Sequence, residues 1–477
     1  MGRIVVIGAG LGALAAAARL AVAGHTVTVY ERTSTYGGAV GRFERDGFAF
    51  DTGPGLLHLP AVYRDLFVKT GKKPLEECVG LSQVDPAARH VFADGTRVDL
   101  PNASRAGTVA ALDAALGAGA GERWGDFLVR AREAWDRTRR PLLEEPQPAD
   151  PRTLAREPYP ALKAGLLRRA TRTLAQVGER ELRDPRLTAL LAAYAEAYGF
   201  PAASAPASAA VLPYMEQTFG SWYVAGGMRA LADAVYERCR ERRVEFVFDA
   251  PVDEVVTEGG RAVGVRLESG ERVAADHVVA GAPLPALYRE QVVPWERADE
   301  WPAFQGHGTS RLTVLLALRG AREEGAVHRT VVHGGGRRPT ATVLRPDDPA
   351  LRPDDDHESV TVSALVDPAP GQDRAELAGW LVEAAGRAVP GLAERLLWQE
   401  VRTPEDVREA TGAPEVPGPA LADGGGGWLP AANLSPVPGL YFVGGWSHPG
   451  GGLAHAGMSG ALVAGLIVEG AEFRGSR

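Results

Sequence analysis

The chain has 477 residues, 45% of them hydrophobic and 23% charged, and a formal net charge of −8. That is length enough for roughly two to three domains and a large buried core, and the acidic balance argues against a nucleic-acid binder. Cys78 and Cys239 stand at neither metal nor redox spacing, and no apolar run free of charge reaches the roughly 18 residues a membrane span needs.

Arg3 to Ile7 is a short Ile/Val-rich run of the kind that forms a buried parallel strand. Gly8, Ala9, Gly10, Leu11, Gly12 and Ala13 follow, then an Ala/Leu-rich stretch that reads as helix to about Ala23 and stops at Gly24. His25 to Tyr30 predicts a second strand, closed by Glu31. Strand, glycine turn, helix, strand and terminal acid together make the G-x-G-x-x-G/A dinucleotide fingerprint in its structural context. Gly8 permits the turn, Gly10 lets a pyrophosphate approach the backbone, and small Ala13 lets the helix pack on the strand. Unpaired N–H groups at the helix start face the phosphates, and Glu31 accepts from a ribose hydroxyl. The acid disfavours a 2′-phosphate; the unit alone does not separate FAD from NAD.

Beyond Arg32, Gly37-Gly38 is a turn. Arg42 to Arg45 and Gly47 to Asp51 predict two short strands, and Asp51-Thr52-Gly53-Pro54 turns again. The order E-R-x-x-x-x-G-G, then G-F-x-F-D-x-G-P, resembles the FAD site of the amine oxidase and carotenoid desaturase superfamily. In that family the Gly pair continues the pyrophosphate cradle and the D-x-G-P turn comes close to the flavin, which implies cofactor roles for Arg32, Gly37, Gly38, Gly53 and Pro54. The family usually has Arg directly after the Gly pair. Here that position is Ala39, and Arg42 is the candidate for the missing charge.

Leu56 to Thr70 predicts a helix, from the spacing of Leu59, Val62, Leu66 and Phe67. Arg89 to Leu100 predicts a hairpin around Asp94-Gly95. Residues 107–200 read as several helices punctuated by prolines. Among them, Leu162 to Leu174 carries Lys163, Arg168, Arg169 and Arg172 between leucines. It predicts a basic amphipathic helix, a surface for peripheral contact with an anionic membrane. Arg183 to Phe200 is a further expected helix.

Trp222 to Val256 is a second landmark. W-Y-V-A-G-G-M resembles the family's P-x-G-G-M strand-to-helix turn, with the helix expected to about Arg240 and a strand from Val244 to Phe248. Val252 matches a position that in related flavoproteins holds the adenine through its backbone. Ala262 to Leu267 and Arg272 to Ala274 predict a hairpin, and Asp276 to Ala280 a strand that rejoins the dinucleotide sheet. Ser310 to Ala317 and Ser359 to Val366 are expected strands, and Asp373 is a cap for a helix from Ala375 to Val389. Asp354, Asp355, Asp356 and His357 read as a solvated loop and not a metal site.

The C-terminal landmark places a strand at Leu440 to Val443, a Gly444-Gly445 turn, and a helix from about Ala456 to Val468. V-G-G-W-S-H-P-G-G-G resembles the V-G-x-x-x-H-P-G-x-G signature of phytoene desaturase-like carotenoid desaturases. Ser459-Gly460 looks closer to hydroxycarotenoid 3,4-desaturase members.

The resemblance implies an α/β fold, an FAD-binding Rossmann-like domain with a discontinuous α+β substrate domain. The expected division is 1–75, 223–285 and 425–477 for FAD, and 76–222 with 286–424 for substrate, including a helical subregion. It implies FAD as cofactor and hydride transfer to flavin from a lipophilic polyene, most simply a carotenoid. Gly444, Gly445, Gly452 and Leu453 are expected at the flavin, with His448 the nearest titratable group. Phe219, Trp222, Tyr223, Trp446 and His455 are candidates for the substrate channel. Two other readings stand beside this one. A flavin-dependent amine or natural-product oxidase or isomerase uses the same scaffold, but no flavin-side lysine is assignable. A prenyl-chain escort protein binds lipid without using flavin, and the intact fingerprint argues against it. A cytoplasmic location with peripheral membrane contact through Leu162 to Leu174 completes the expectation.

Overall fold

The structure is a computed structural model, describing all residues except 149, 165–166, 170, 294–307, 337, 370, 372 and 476–477. A five-stranded parallel sheet runs in the order Glu245–Val247, Thr26–Tyr30, Arg3–Ile7, His277–Ala280, Leu440–Phe442. Three distant parts of the sequence therefore share one sheet, and the strand ending at Ala280 does rejoin it. The alternation along the first strand decides the layers. Ile4 and Val6 pack with the helices Leu11–Val22, Met228–Glu241 and Leu453–Glu469. Val5 and Ile7 pack on the opposite face, with Val255 and Val265 of a three-stranded antiparallel sheet.

A seven-stranded sheet carries the second part of the molecule. Its order is Leu396–Arg402, Ser310–Arg319, His357–Val366, Ala341–Leu344, Arg329–Val332, Ala88–Val91, Arg97–Leu100. All its pairings are antiparallel except that of Arg329–Val332 with Ala88–Val91. The helix Arg374–Ala385 covers one face, and the Asp373 carboxylate caps it by accepting from the Ala375 and Glu376 N–H groups. A helical layer of Ala120–Arg139, Pro185–Ala197 and Val211–Phe219 surrounds buried Trp124 and Phe127.

Two expected helices are corrected. Leu56 to Thr70 is helical only over Ala61–Thr70, because Leu57–His58 pairs as a strand with Ser221 and Trp222. Leu162 to Leu174 is not a helix over its described residues. Leu162–Ala164 pairs antiparallel with Leu167–Arg169, and the next helical turn begins only at Leu174. Gly165 and Leu166, between the strands, lie outside the described residues; glycine within a helix costs about 1 kcal/mol relative to alanine. Among the described residues no helix is long and apolar enough to cross a membrane.

Candidate active site

The N-terminal glycine turn builds a cradle. Gly10 caps the helix Leu11–Val22 without a side chain, and the first intrahelical bond is Leu14 N–H to the Gly10 carbonyl. The N–H groups of the first turn are thus available to an anion. A Cβ built on Gly10 meets no atom within 4 Å, so open space lies over that backbone. Gly37 N–H donates to the Ala9 carbonyl at 2.9 Å and sets Gly38 against Gly10. Open donors facing open space fit a pyrophosphate. Glu31 Oε2 accepts the Ala9 N–H at 2.7 Å, and Oε1 accepts the Thr33 N–H and hydroxyl, each at 2.9 Å. The acid thus sits beside the cradle with acceptor capacity left on Oε2 for a ribose hydroxyl.

The other landmarks close on this turn. A Cβ on Gly12 would stand 2.7 Å from Gly444 Cα, so the first and third landmarks touch only because both positions are glycine. A Cβ on Gly53 would overlap the Ala39 carbonyl oxygen, which sets the D-x-G-P turn, with Pro54, beside the Gly37-Gly38 turn. Ala13 is buried between helix and sheet. Val252 starts a strand whose pairing shifts register before Glu254, leaving its backbone outside a regular ladder.

The charges are placed differently from expectation. Arg42 lies 2.8 Å from Glu44 and donates to the Ala350 carbonyl at 3.1 Å, so it is held along its own hairpin. Arg32 donates to the Glu409 carbonyl at 2.9 Å. The cation braced against the Gly37-Gly38 turn is Arg229, which donates to the Tyr36 carbonyl at 2.7 Å and the Thr35 hydroxyl at 3.0 Å. Asp51 accepts the Met228 N–H at 2.8 Å and so caps the helix of the second landmark.

His448 is fully buried. Its Nε2 is 2.8 Å from the Glu145 carbonyl, and burial pushes its pKa down to about 4. A neutral imidazole donating to that carbonyl braces the loop after Gly445 against the helical layer. The C-terminal helix starts at Leu453, earlier than expected, after Gly452. Tyr63 donates to the Leu453 carbonyl at 2.8 Å and holds this first turn.

Two residues along that helix, His455 lines a small, mainly apolar recess. Trp135, Leu142, Val211, Leu212 and Met215 form its helical wall, and Pro419 to Ala422 its other side. Burial lowers the His455 pKa to about 4, so it is neutral near pH 7. The Ser208 hydroxyl faces the same recess with no hydrogen-bond partner among the described residues, and the lining contains no carboxylate.

The remaining channel candidates do not gather there. Tyr223 donates to Asp348 at 2.7 Å and lines a second recess beside Asp51 and Gly53. Phe219 is partly exposed at its helix end, and Trp222 lies under Arg64. Trp446 belongs to the core beneath the parallel sheet. Aromatic size serves cores as well as channels, and here packing claimed Trp446 and part of Trp222.

A polar cluster escaped the sequence reading. His58, Glu216 and Arg329 meet beside Tyr194 and Tyr198, in a region otherwise apolar. Glu216 pairs with Arg329, accepts from Ser221 at 3.3 Å, and lies 3.7 Å from His58 Nε2. Burial alone would raise the Glu216 carboxyl, but Arg329 and then His58 hold it below its ordinary value. The available signal was one acid inside the otherwise apolar helix Val211–Phe219.

Comparison with known proteins follows this geometry. The model of the flavin-containing amine oxidoreductases matches residues 14–468. The chain is 35% identical over 297 residues to a zeta-carotene-forming phytoene desaturase of Myxococcus xanthus, covering 61% of this chain and 55% of that relative. It is 29% identical over 498 residues to a 4,4′-diapolycopene oxygenase of a Methylomonas species, covering 98% of each. Among solved structures, a putrescine oxidase with bound putrescine superposes at a TM-score of 0.66 and 19% identity, over 98% of this chain and 99% of that one. That likeness is one of fold.

Proposed function

The chain belongs to the flavin-containing amine oxidoreductase family, as a carotenoid desaturase-like, FAD-dependent oxidoreductase, and we propose that it desaturates a lipophilic polyene, most simply a carotenoid. The observation that carries the proposal is the recess beside His455: its walls are mainly aliphatic and aromatic, its polar members are Thr138, Arg139 and Ser208, and its lining offers no carboxylate to a cationic amine. A hydrocarbon packed against such walls gains roughly 25 cal/mol per Å² of apolar surface buried. The relatives named as a phytoene desaturase and a diapolycopene oxygenase support the same substrate class.

In this reading residues 1–75, 223–285 and 425–477 form the FAD-binding part, and 76–222 with 286–424 the substrate part. The N–H groups after Gly10 and the Gly37-Gly38 turn, which Arg229 braces, would hold the pyrophosphate. Glu31 holds the ribose, and the Val252 backbone meets the adenine. Gly444, Gly445, Gly452 and Leu453 border the flavin, where the start of the helix Leu453–Glu469 favours negative charge. Bound FAD supplies a two-electron hydride acceptor. The chain itself orients the polyene, keeps water from it, and receives a proton.

The test is anaerobic mixing of FAD-loaded protein with polyenes and with amines, following flavin absorbance at about 450 nm. Bleaching by a polyene is the expected result. Bleaching by amines alone, or a protein that cannot be loaded with FAD, overturns the proposal. Met215→Trp, which fills the recess, is expected to suppress bleaching while FAD stays bound.

A further inference from the structure

Desaturation takes two hydrogens from adjacent carbons, and FAD receives only one of them as hydride. His448, the imidazole singled out by the sequence, is bonded to the Glu145 carbonyl and fully buried. Another imidazole lies near the start of the C-terminal helix. His58 follows the D-x-G-P turn, and its ring centroid is 6.1 Å from that of Tyr198. The Tyr198 ring is in turn about 4 Å from where a Cβ on Gly452 would stand. His58, Tyr198 and the border assigned above to the flavin are therefore neighbours.

The chemistry of the cluster is that of a buried base. Glu216 Oε2 is 3.7 Å from His58 Nε2 and has no hydrogen-bond partner among the described residues. The same holds for His58 Nδ1 and the Tyr198 hydroxyl. Arg329 keeps Glu216 ionised from the other side. A buried carboxylate anchored by arginine and 3.7 Å from an imidazole is outside hydrogen-bond distance but stabilises the imidazolium electrostatically, and the other ring nitrogen is unengaged. Such a group costs stability unless it has a use, because buried unsatisfied polar atoms are unfavourable.

We propose that His58, its imidazolium stabilised by Glu216, is the catalytic proton acceptor of the desaturation, an inference that rests on the polyene reading above. The electron pair of one C–H bond leaves as hydride to FAD, which is reduced by two electrons. The C–H bond on the neighbouring carbon breaks, its electron pair forms the new C=C bond, and its proton passes to His58 Nδ1.

Burial lowers the imidazole pKa. Glu216 on the helix Val211–Phe219 and the Gly220 carbonyl act against that, and Arg329 on its strand acts with it. Tyr198, the other titratable group against the ring, is kept neutral by burial. The base form therefore predominates at neutral pH, and the rate rises with pH until His58 is deprotonated.

The experiment compares wild type, His58→Gln and His58→Ala, each FAD-loaded, in anaerobic flavin reduction by polyene across pH. His58→Gln is expected to keep its FAD content and melting temperature while slowing reduction about 100-fold or more and losing the acidic limb of the profile. Added imidazole is expected to restore rate to His58→Ala. Independently of turnover, NMR titration is expected to show a lower His58 pKa in Glu216→Gln; if that variant does not fold, imidazole rescue carries the test. A His58→Gln rate within about threefold of wild type, with its pH profile intact, overturns the assignment of His58 alone. A wild type that no polyene bleaches overturns the substrate reading, and this inference with it.

Discussion

Asp51 Oδ2 accepts the Met228 N–H at 2.8 Å, joining two landmarks that lie 177 residues apart in sequence. The helix Met228–Glu241 follows Gly227, which has no side chain to cap it, so Asp51 supplies the cap from a different turn. Asp348 grips the same loop, accepting the Gly226 N–H at 2.6 Å and the Tyr223 hydroxyl at 2.7 Å. Asp51→Ala is expected to destabilise the fold by about 1–2 kcal/mol, the usual worth of a lost cap, and to weaken FAD retention by loosening the D-x-G-P turn. Asp51→Asn keeps one acceptor and is expected to lose less. Denaturant titration with measurement of bound flavin checks both, and two variants as stable as wild type would leave the cap without energetic weight.

Gly10 and Gly12 predict opposite phenotypes from similar positions. A side chain at Gly10 enters open space, so Gly10→Val is expected to fold, with a melting temperature near that of FAD-free wild type, and to retain no flavin. A side chain at Gly12 meets Gly444 Cα at 2.7 Å and the Ala456 carbonyl at 2.9 Å, so Gly12→Val is expected not to fold. Flavin content and circular dichroism of the purified variants separate the two outcomes. A yellow Gly10→Val protein would displace the pyrophosphate from the cradle.

The parallel sheet was readable because its strands are short runs rich in β-branched or aromatic residues, and the three landmarks because their glycines follow a spacing with a physical cause. Leu162 to Leu174 was misread because alternating leucines and cations suit a helix face and a strand about equally, and only the pairing of Leu162–Ala164 with Leu167–Arg169 decides. The histidines show a deeper limit. His448 stood in a motif and proved to be bonded to Glu145, whereas His58 lies 3.7 Å from Glu216, itself paired with Arg329, both far along the chain. Such clusters are made by tertiary packing, and the single acid in the helix Val211–Phe219 is the one local sign of this one. Arg229, which bonds the Tyr36 carbonyl from 193 residues away, is the same lesson in charge.

His448→Ala is expected to behave as a packing variant. It removes the contact with the Glu145 carbonyl and leaves a small void, a loss of about 1–3 kcal/mol. Flavin reduction in the folded fraction is expected to stay within a fewfold of wild type with an unchanged pH profile, in contrast to His58→Gln. Melting curves and single-turnover rates on the same preparations check this. A large rate loss at unchanged stability would return His448 to the chemistry.

Acid sensitivity follows from the buried imidazoles. Burial lowers His328, His333, His448 and His455 each to about 4. The unfolded chain takes up protons at these positions near pH 6.5, and the folded chain only near pH 4. Their contribution to stability is thus complete above pH 6.5 and is lost as the pH falls toward 4. Two carboxyls act in the opposite direction, because burial raises Asp51 to about 6 and Glu157 to about 7, and the folded state gains as they protonate. His58, His90 and His277 are lowered by burial as well and Glu196 is raised, so the imidazoles outnumber the carboxyls and the balance is a net loss, on the order of a few kcal/mol, between about pH 6.5 and 4. Carboxylates held by arginine, such as Glu216, add their loss only below their ordinary range. The melting temperature is therefore expected to fall steadily from pH 7 to pH 4.5, before those ion pairs protonate, and His455→Gln is expected to flatten the slope. A melting temperature that holds or rises over this interval would mean that the imidazoles are solvated in the folded protein.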